Sequence, residues 1–150
     1  MNEEYVKQRL APCGLNCSKC FAFKTGDIAE ASHKLKEALG DFDNYAKRFI
    51  NLLDEKVFMK YPEFKEMLQY FSMPKCSGCR VEKCKLFKDC KVRECAKNRE
   101  VDYCFECVDF PCNNTGFDKN LYERSVKINN RIKEISVIRY FEEIKNQSRY

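Results

Sequence analysis

Cysteine is the residue whose number and spacing stand out in this chain. Eleven of its 150 residues are cysteine and one is histidine. Three pairs of cysteines are separated by two residues, a spacing that lets a tight turn aim both sulfurs at one metal ion. These pairs are Cys17/Cys20, Cys76/Cys79 and Cys104/Cys107. Three such pairs in one chain predict bound metal.

The cysteines form two groups along the chain, and every one is a candidate metal ligand. Residues 21–75 separate the groups and carry no cysteine. A closed tetrahedral site needs four ligands, so the three N-terminal cysteines cannot close one alone. We therefore expect the loop 11–24 to fold onto region 75–113. The candidate ligands are Cys13, Cys17, Cys20, Cys76, Cys79, Cys84, Cys90, Cys95, Cys104, Cys107 and Cys112.

Zinc is the favoured metal, because four thiolates in a closed site suit a structural zinc ion. The cysteine count supports two or three ions. An iron–sulfur cluster is the alternative, since it also takes four thiolates. The spacing in CGLNCSKC is also that of radical-SAM enzymes, but the chain has few strand patterns and five glycines, which disfavours that class. The odd count of 11 predicts at least one cysteine outside a complete four-cysteine site.

The single histidine, His33, lies in the helical pattern IAEASHKLKEAL, and we expect it to be an exposed bystander. With one histidine and no glycine-rich phosphate loop, the chain lacks the usual sets of catalytic residues. A three-cysteine zinc site with an exchangeable water is the route to catalysis that the sequence leaves open. Enzymatic activity is therefore undecided at this stage, and the sequence leans against it.

Charge is uneven along the chain, whose formal net charge is +5. Basic residues outnumber acidic ones by nine to three between Lys75 and Arg99, where five cysteines also lie. Basic residues next to thiolates offset their charge. We favour this interpretation over nucleic-acid binding. If the basic residues serve the thiolates, we expect the chain to be a binding or adaptor module with a protein partner. A redox protein and a nucleic-acid-binding zinc protein are the alternatives.

The remaining pattern is mainly helical. Apolar spacing predicts helices over 27–39, over about 42–58 and from Pro62 to 72, with their aromatic stripes in the core. Cys95 falls in a short helix over 91–99, and the C-terminal helices lie within 118–148. We predict a mainly α fold, a small helical domain over 1–150 with cysteine-rich, zinc-knuckle-like turns and room for one short hairpin.

Neither a membrane span nor a secretory signal is expected. No stretch of about 18 apolar residues occurs, and the N-terminus MNEEYVKQRLAPCG has no apolar signal core. The expected location is the reducing cytoplasm, where thiols stay free to bind metal.

Several ordered motifs resemble one known family. CGLNC-x2-C is followed by CSGCR, CKVREC, C-x2-CVDFPC and finally NNRIKEI. This order is similar to the cysteine-rich prokaryotic family known as domain of unknown function 3795, from about residue 11 to 141. The resemblance implies a small, metal-binding protein, with zinc as the expected metal. It matches every cysteine except Cys84, and it places Gly where this chain has Ser136.

Overall fold

The computed structural model describes residues 2–150, and the fold is mainly helical, as the sequence predicts. Within that range there is no β-strand. The short hairpin that the sequence allowed does not form in these residues. Two isolated β-bridges are present instead, Leu10 to Asn16 and Phe23 to Cys76. The seven α-helices of residues 2–150 are α1 Glu3–Lys7, α2 Asp27–Leu39, α3 Phe42–Leu52, α4 Tyr61–Ser72, α5 Val92–Asn98, α6 Lys119–Ile135 and α7 Val137–Ile144. No helix in residues 2–150 is both long and apolar enough to cross a membrane.

Helices α2, α3 and α4 form an arm, residues 27–72, between the two cysteine groups. Its two ends are held side by side, because the Lys24 N–H donates to the Cys76 carbonyl and the Cys76 N–H donates to the Ala22 carbonyl, each at 2.9 Å. Helix α2 has the predicted bounds, with Gly26 before it and Gly40 after it. The arm is thus an insertion between the two cysteine groups whose first and last residues lie side by side.

Helix α3 is shorter than predicted. It ends at Leu52, and Asp54 then takes a left-handed conformation with φ 50°. A 3-10 turn at Lys56–Lys60 follows and brings Phe58 back onto α3, 5.6 Å from Phe49 between ring centroids. The apolar periodicity of 42–58 therefore reflects two elements folded on each other. A continuous helix could not make that aromatic contact.

The aromatic stripes of the arm are less buried than predicted. Ala46 is the buried residue of α3, and Leu68 is the large buried residue of α4. Of the aromatic side chains, Tyr45 is 54% exposed and Phe64 is 43% exposed. Three helices and one turn are too few to enclose all of these side chains.

Two clusters of buried residues hold the rest of the chain together. One joins α1, α6 and α7 through Val6, Leu10, Ile132 and Phe141. The other is built around the N-terminal loop and includes three thiols. Its members are Ala11, Cys13, Leu15, Cys17, Cys20, Phe23 and Val92. The cysteine loop is thus part of the core.

Ser136 separates α6 from α7 and takes the backbone conformation φ 80°, ψ 157°. This region of backbone space is strained for any residue with a Cβ and free for glycine. The Ser136 side chain makes no capping hydrogen bond at the start of α7. The hydroxyl group therefore contributes nothing that offsets the strain.

We expect Ser136→Gly to raise the free energy of unfolding by about 1 kcal/mol, since relief of strain exceeds the added entropy of the unfolded chain. Equilibrium denaturation in urea measures this change. Ser136→Ala is the matched control, because it removes the hydroxyl but keeps the Cβ and should not stabilise. Equal stabilisation by both variants would refute this explanation.

Candidate metal centres

The three closely spaced cysteine pairs lie on tight turns. In two of them the second cysteine's N–H donates to the first cysteine's carbonyl, at 2.9 Å for Cys20 to Cys17 and 3.1 Å for Cys107 to Cys104. In the third pair, the Gly78 N–H donates to Cys76 Sγ at 3.4 Å. Gly78 has φ +99°, a conformation that other residues rarely adopt. Each pair thus has the compact turn that the spacing predicts.

Four thiols from both ends of the chain's cysteine-free stretch lie together, and we call them the first thiol group: Cys17, Cys20, Cys76 and Cys79. The bridge from Phe23 to Cys76 aligns the two turns. The Cys17 and Cys79 thiols interact directly. Cys76 lies near Cys17 and Cys20 and interacts with both electrostatically.

A second thiol group comprises Cys95, Cys104, Cys107 and Cys112. All four line one small cavity of about 30 Å³. Helix α5 carries Cys95, a 3-10 turn carries Cys104 and ends at Cys107, and Cys112 follows Pro111. Burial, and then the nearby thiols of Cys112, Cys95 and Cys107, raise the pKa of Cys104 to about 12. The four donors therefore share one enclosed space.

Three thiols remain, Cys13, Cys84 and Cys90. They line a larger cavity of about 410 Å³, together with Cys17 and Cys79 of the first thiol group. Burial raises the pKa of both Cys13 and Cys90. Cys84 differs, because its hydrogen bond with Cys79 and backbone N–H groups lower its pKa to about 5.

Cys79 is central to this part of the chain. Its thiol forms hydrogen bonds with both Cys17 and Cys84, which raise its own pKa. The hydrogen bond with Cys79 lowers the pKa of Cys17 to about 7. The hydrogen bonds of Cys79 thus raise its own pKa and lower the pKa of both Cys17 and Cys84.

All eleven cysteines are free thiols. Among residues 2–150, no three side chains of His, Cys, Asp or Glu are arranged to hold a metal ion together. The thiols are thus neighbours without a preset ligand geometry, and they match a soft metal ion by donor type alone. His33 is exposed on α2, as the sequence predicts.

Asn129 is a structural residue that sequence reasoning missed. It is fully buried on α6, and its Nδ2 donates to the Cys13 carbonyl at 2.9 Å. Its Oδ1 accepts from the Phe105 N–H at 3.1 Å, in the turn that carries Cys104. One side chain therefore ties the N-terminal cysteine loop to the second thiol group. A polar residue between Ile128 and Ile132, on the apolar face of a helix, was the available signal.

We expect Asn129→Ala to lower the free energy of unfolding by about 2–4 kcal/mol, because it leaves a buried carbonyl and a partly buried N–H without partners. Thermal and urea denaturation measure the loss. The neighbouring Asn130 is exposed, so Asn130→Ala is the control and should change stability little. Equal effects of the two substitutions would contradict the role given to Asn129.

The chain matches one protein family, described as "Protein of unknown function (DUF3795)", over residues 9–117. The match includes all eleven cysteines and ends before α6, so the NNRIKEI motif lies outside it. Neither the curated proteins nor the solved structures contain a match to this chain. The matched segment covers most of the chain, and the chain belongs to the DUF3795 family of unknown function.

Proposed function

We propose that this chain is a zinc-binding protein whose ions sit in closed, structural thiolate sites, and that it serves as a binding or adaptor module. The observation that carries the proposal is the second thiol group, in which four cysteines line one cavity of about 30 Å³. Four thiolates in so small a space repel one another strongly. A divalent soft cation removes that repulsion and uses all four donors.

The first thiol group supports a second ion of the same kind. It supplies two of the compact cysteine turns, and its bridge joins Phe23 to Cys76. Two four-cysteine sites use eight of the eleven cysteines. Sites of this kind stabilise a fold outright, because the binding free energy of the metal adds to the free energy of folding.

A structural role suits the surroundings of the thiols. Cys17 and Cys20 belong to a core cluster with Leu15 and Phe23, so ions bound there would stabilise the interior. The surface is then left for a partner, with the exposed apolar side chains of the arm as the available contacts. A reducing compartment such as the cytoplasm belongs to the same proposal, because it keeps the thiols free for the metal.

Metal analysis of the protein purified anaerobically tests the proposal. We expect at least two zinc ions per chain and a colourless protein. Iron with acid-labile sulfide would replace the zinc proposal by the iron–sulfur alternative. A protein that contains no metal as purified, and that binds none when it is refolded with zinc, would contradict both the zinc proposal and the iron–sulfur alternative.

A substitution tests the structural role of the second thiol group. We expect Cys107→Ser to remove one zinc ion per chain and to lower the free energy of unfolding by more than about 4 kcal/mol, as loss of a structural metal does. Val108 is 91% exposed and follows Cys107 directly, so Val108→Ala is the matched control. Retention of the full zinc content by the Cys107 variant would contradict the assignment.

A further inference from the structure

The larger cavity lies beside the first thiol group, and its walls are mostly apolar. Its volume is about 410 Å³. Pockets that bind small molecules measure roughly 300–1,000 Å³. Leu15 and Val92 are buried residues of its wall, and Phe87 and Phe117 are half-buried ones. The cavity thus has the size and the lining of a site for an organic molecule.

Two phenylalanine rings meet in the wall of this cavity. The ring centroids of Phe87 and Phe117 lie 6.1 Å apart, with an angle of 62° between the ring planes. The Phe117 N–H donates to Thr115 Oγ1 at 3.2 Å, and the Lys91 N–H donates to the Thr115 carbonyl at 2.9 Å. These bonds join the segment that carries Phe117 to the segment that follows Phe87. The resulting aromatic corner suits a flat aromatic ligand, because ring–ring contacts add to the gain from apolar burial.

The lining of the cavity is positively charged. Basic side chains outnumber acidic ones by five to two among the lining residues, and the five are Lys83, Lys88, Lys91, Arg93 and Arg149. Among residues 2–150, Arg93 forms an ion pair and the other four basic residues form none. Their charge is therefore available to a ligand, and it raises the local concentration of anions.

Arg93 also carries a hydrogen-bond donor that is left over. Its Nη2 donates to the Val81 carbonyl at 3.2 Å, and its Nη1 donates to the Glu94 carboxylate. These contacts hold the guanidinium group in place. Its Nε–H is buried and has no hydrogen-bond partner among residues 2–150. Because buried donors are normally paired, an acceptor oxygen of a ligand is the natural partner for this N–H.

We propose that the larger cavity binds a small organic anion with a flat aromatic body. The aromatic body packs against Leu15, Val92 and the two phenylalanine rings, and the anionic group accepts the Nε–H of Arg93. The buried thiols of the lining act as small apolar groups. This site goes beyond the proposed adaptor role and does not depend on bound zinc, because protein side chains supply every contact.

Two probes of the same shape test the requirement for charge. Isothermal titration calorimetry measures the binding of 2-naphthoate, and of its uncharged analogue 2-naphthamide, to the wild-type chain at low salt. We expect one bound 2-naphthoate per chain and a dissociation constant at least about fivefold larger for 2-naphthamide, since the amide lacks the charge that the basic residues attract. Absence of saturable 2-naphthoate binding would overturn the proposal, and so would equal affinities of the two probes. Neither result bears on the zinc content of the chain, so this proposal and the zinc proposal fail separately.

A substitution of Arg93 tests where the anion binds. We expect Arg93→Gln to raise the dissociation constant of 2-naphthoate about five- to tenfold, because it removes the positive charge and the unpaired Nε–H. Arg99→Gln is the matched control, since Arg99 is exposed and lies outside the lining of this cavity. Equal effects of the two substitutions would contradict a site at Arg93.

Exposed lysines allow a second test that leaves the interior unchanged. Lys88 lines the cavity and Lys75 does not, and both residues are exposed. We expect Lys88→Ala to raise the dissociation constant of 2-naphthoate about two- to threefold at low salt, and Lys75→Ala to leave it unchanged. Wild-type affinity in both Lys88→Ala and Arg93→Gln would place the anion elsewhere and overturn the proposal.

A third substitution tests the aromatic part of the site. Phe117→Leu keeps an apolar side chain in the wall and removes one ring. We expect it to raise the dissociation constant of 2-naphthoate about two- to threefold. Phe64→Leu, on α4 and outside this cavity, is the control and should have no effect. Wild-type affinity in Phe117→Leu would contradict a ligand with an aromatic body.

Discussion

The hydrogen bonds of one buried amide hold the two cysteine-containing segments of this protein together. Asn129 on α6 binds the carbonyl of Cys13 and the N–H of Phe105, which lie in the two halves of the cysteine region. Gly14 allows the close approach, because a Cβ at that position would lie 2.2 Å from Ile128 Cγ2. Without this contact, α6 would lose its polar anchor to both cysteine segments. The thiol groups therefore depend on a helix that carries no cysteine.

Thiols take the place of part of the apolar core in this protein. The cluster around the N-terminal loop contains Cys13, Cys17 and Cys20 beside Leu15 and Phe23. A core of this kind packs as a small hydrophobic cluster when its thiols are protonated. Under the zinc proposal, the metal–thiolate bonds would cross-link this cluster and add the free energy of metal binding to that of packing. The arm adds little to this core, because Leu52 and Met67, among other apolar side chains of the arm, are exposed.

The sequence predicts much of the local structure and less of its assembly. The bounds of α2 follow from Gly26 and Gly40, and α5 carries Cys95 as predicted. The end of α3 cannot be predicted from apolar periodicity. The chain turns back after Leu52 so that Phe58 packs on Phe49, and the apolar spacing continues through this turn. The grouping of the cysteines is likewise a product of tertiary contacts. Spacing identifies pairs, but the bridge at Cys76 and the hydrogen bonds of Asn129 bring the pairs together.

The closed ends of the arm affect the order in which the thiol groups assemble. The second thiol group lies within residues 95–112, so bringing its sulfurs together closes short loops of chain. The first thiol group spans the whole of residues 21–75, and its closure carries a larger loss of chain entropy. Folding of the arm, which pins Ala22 and Lys24 against Cys76, removes most of that loss beforehand. The arm thus brings cysteines that are distant in the sequence close together in space, so the first thiol group depends on the folding of the arm and the second does not.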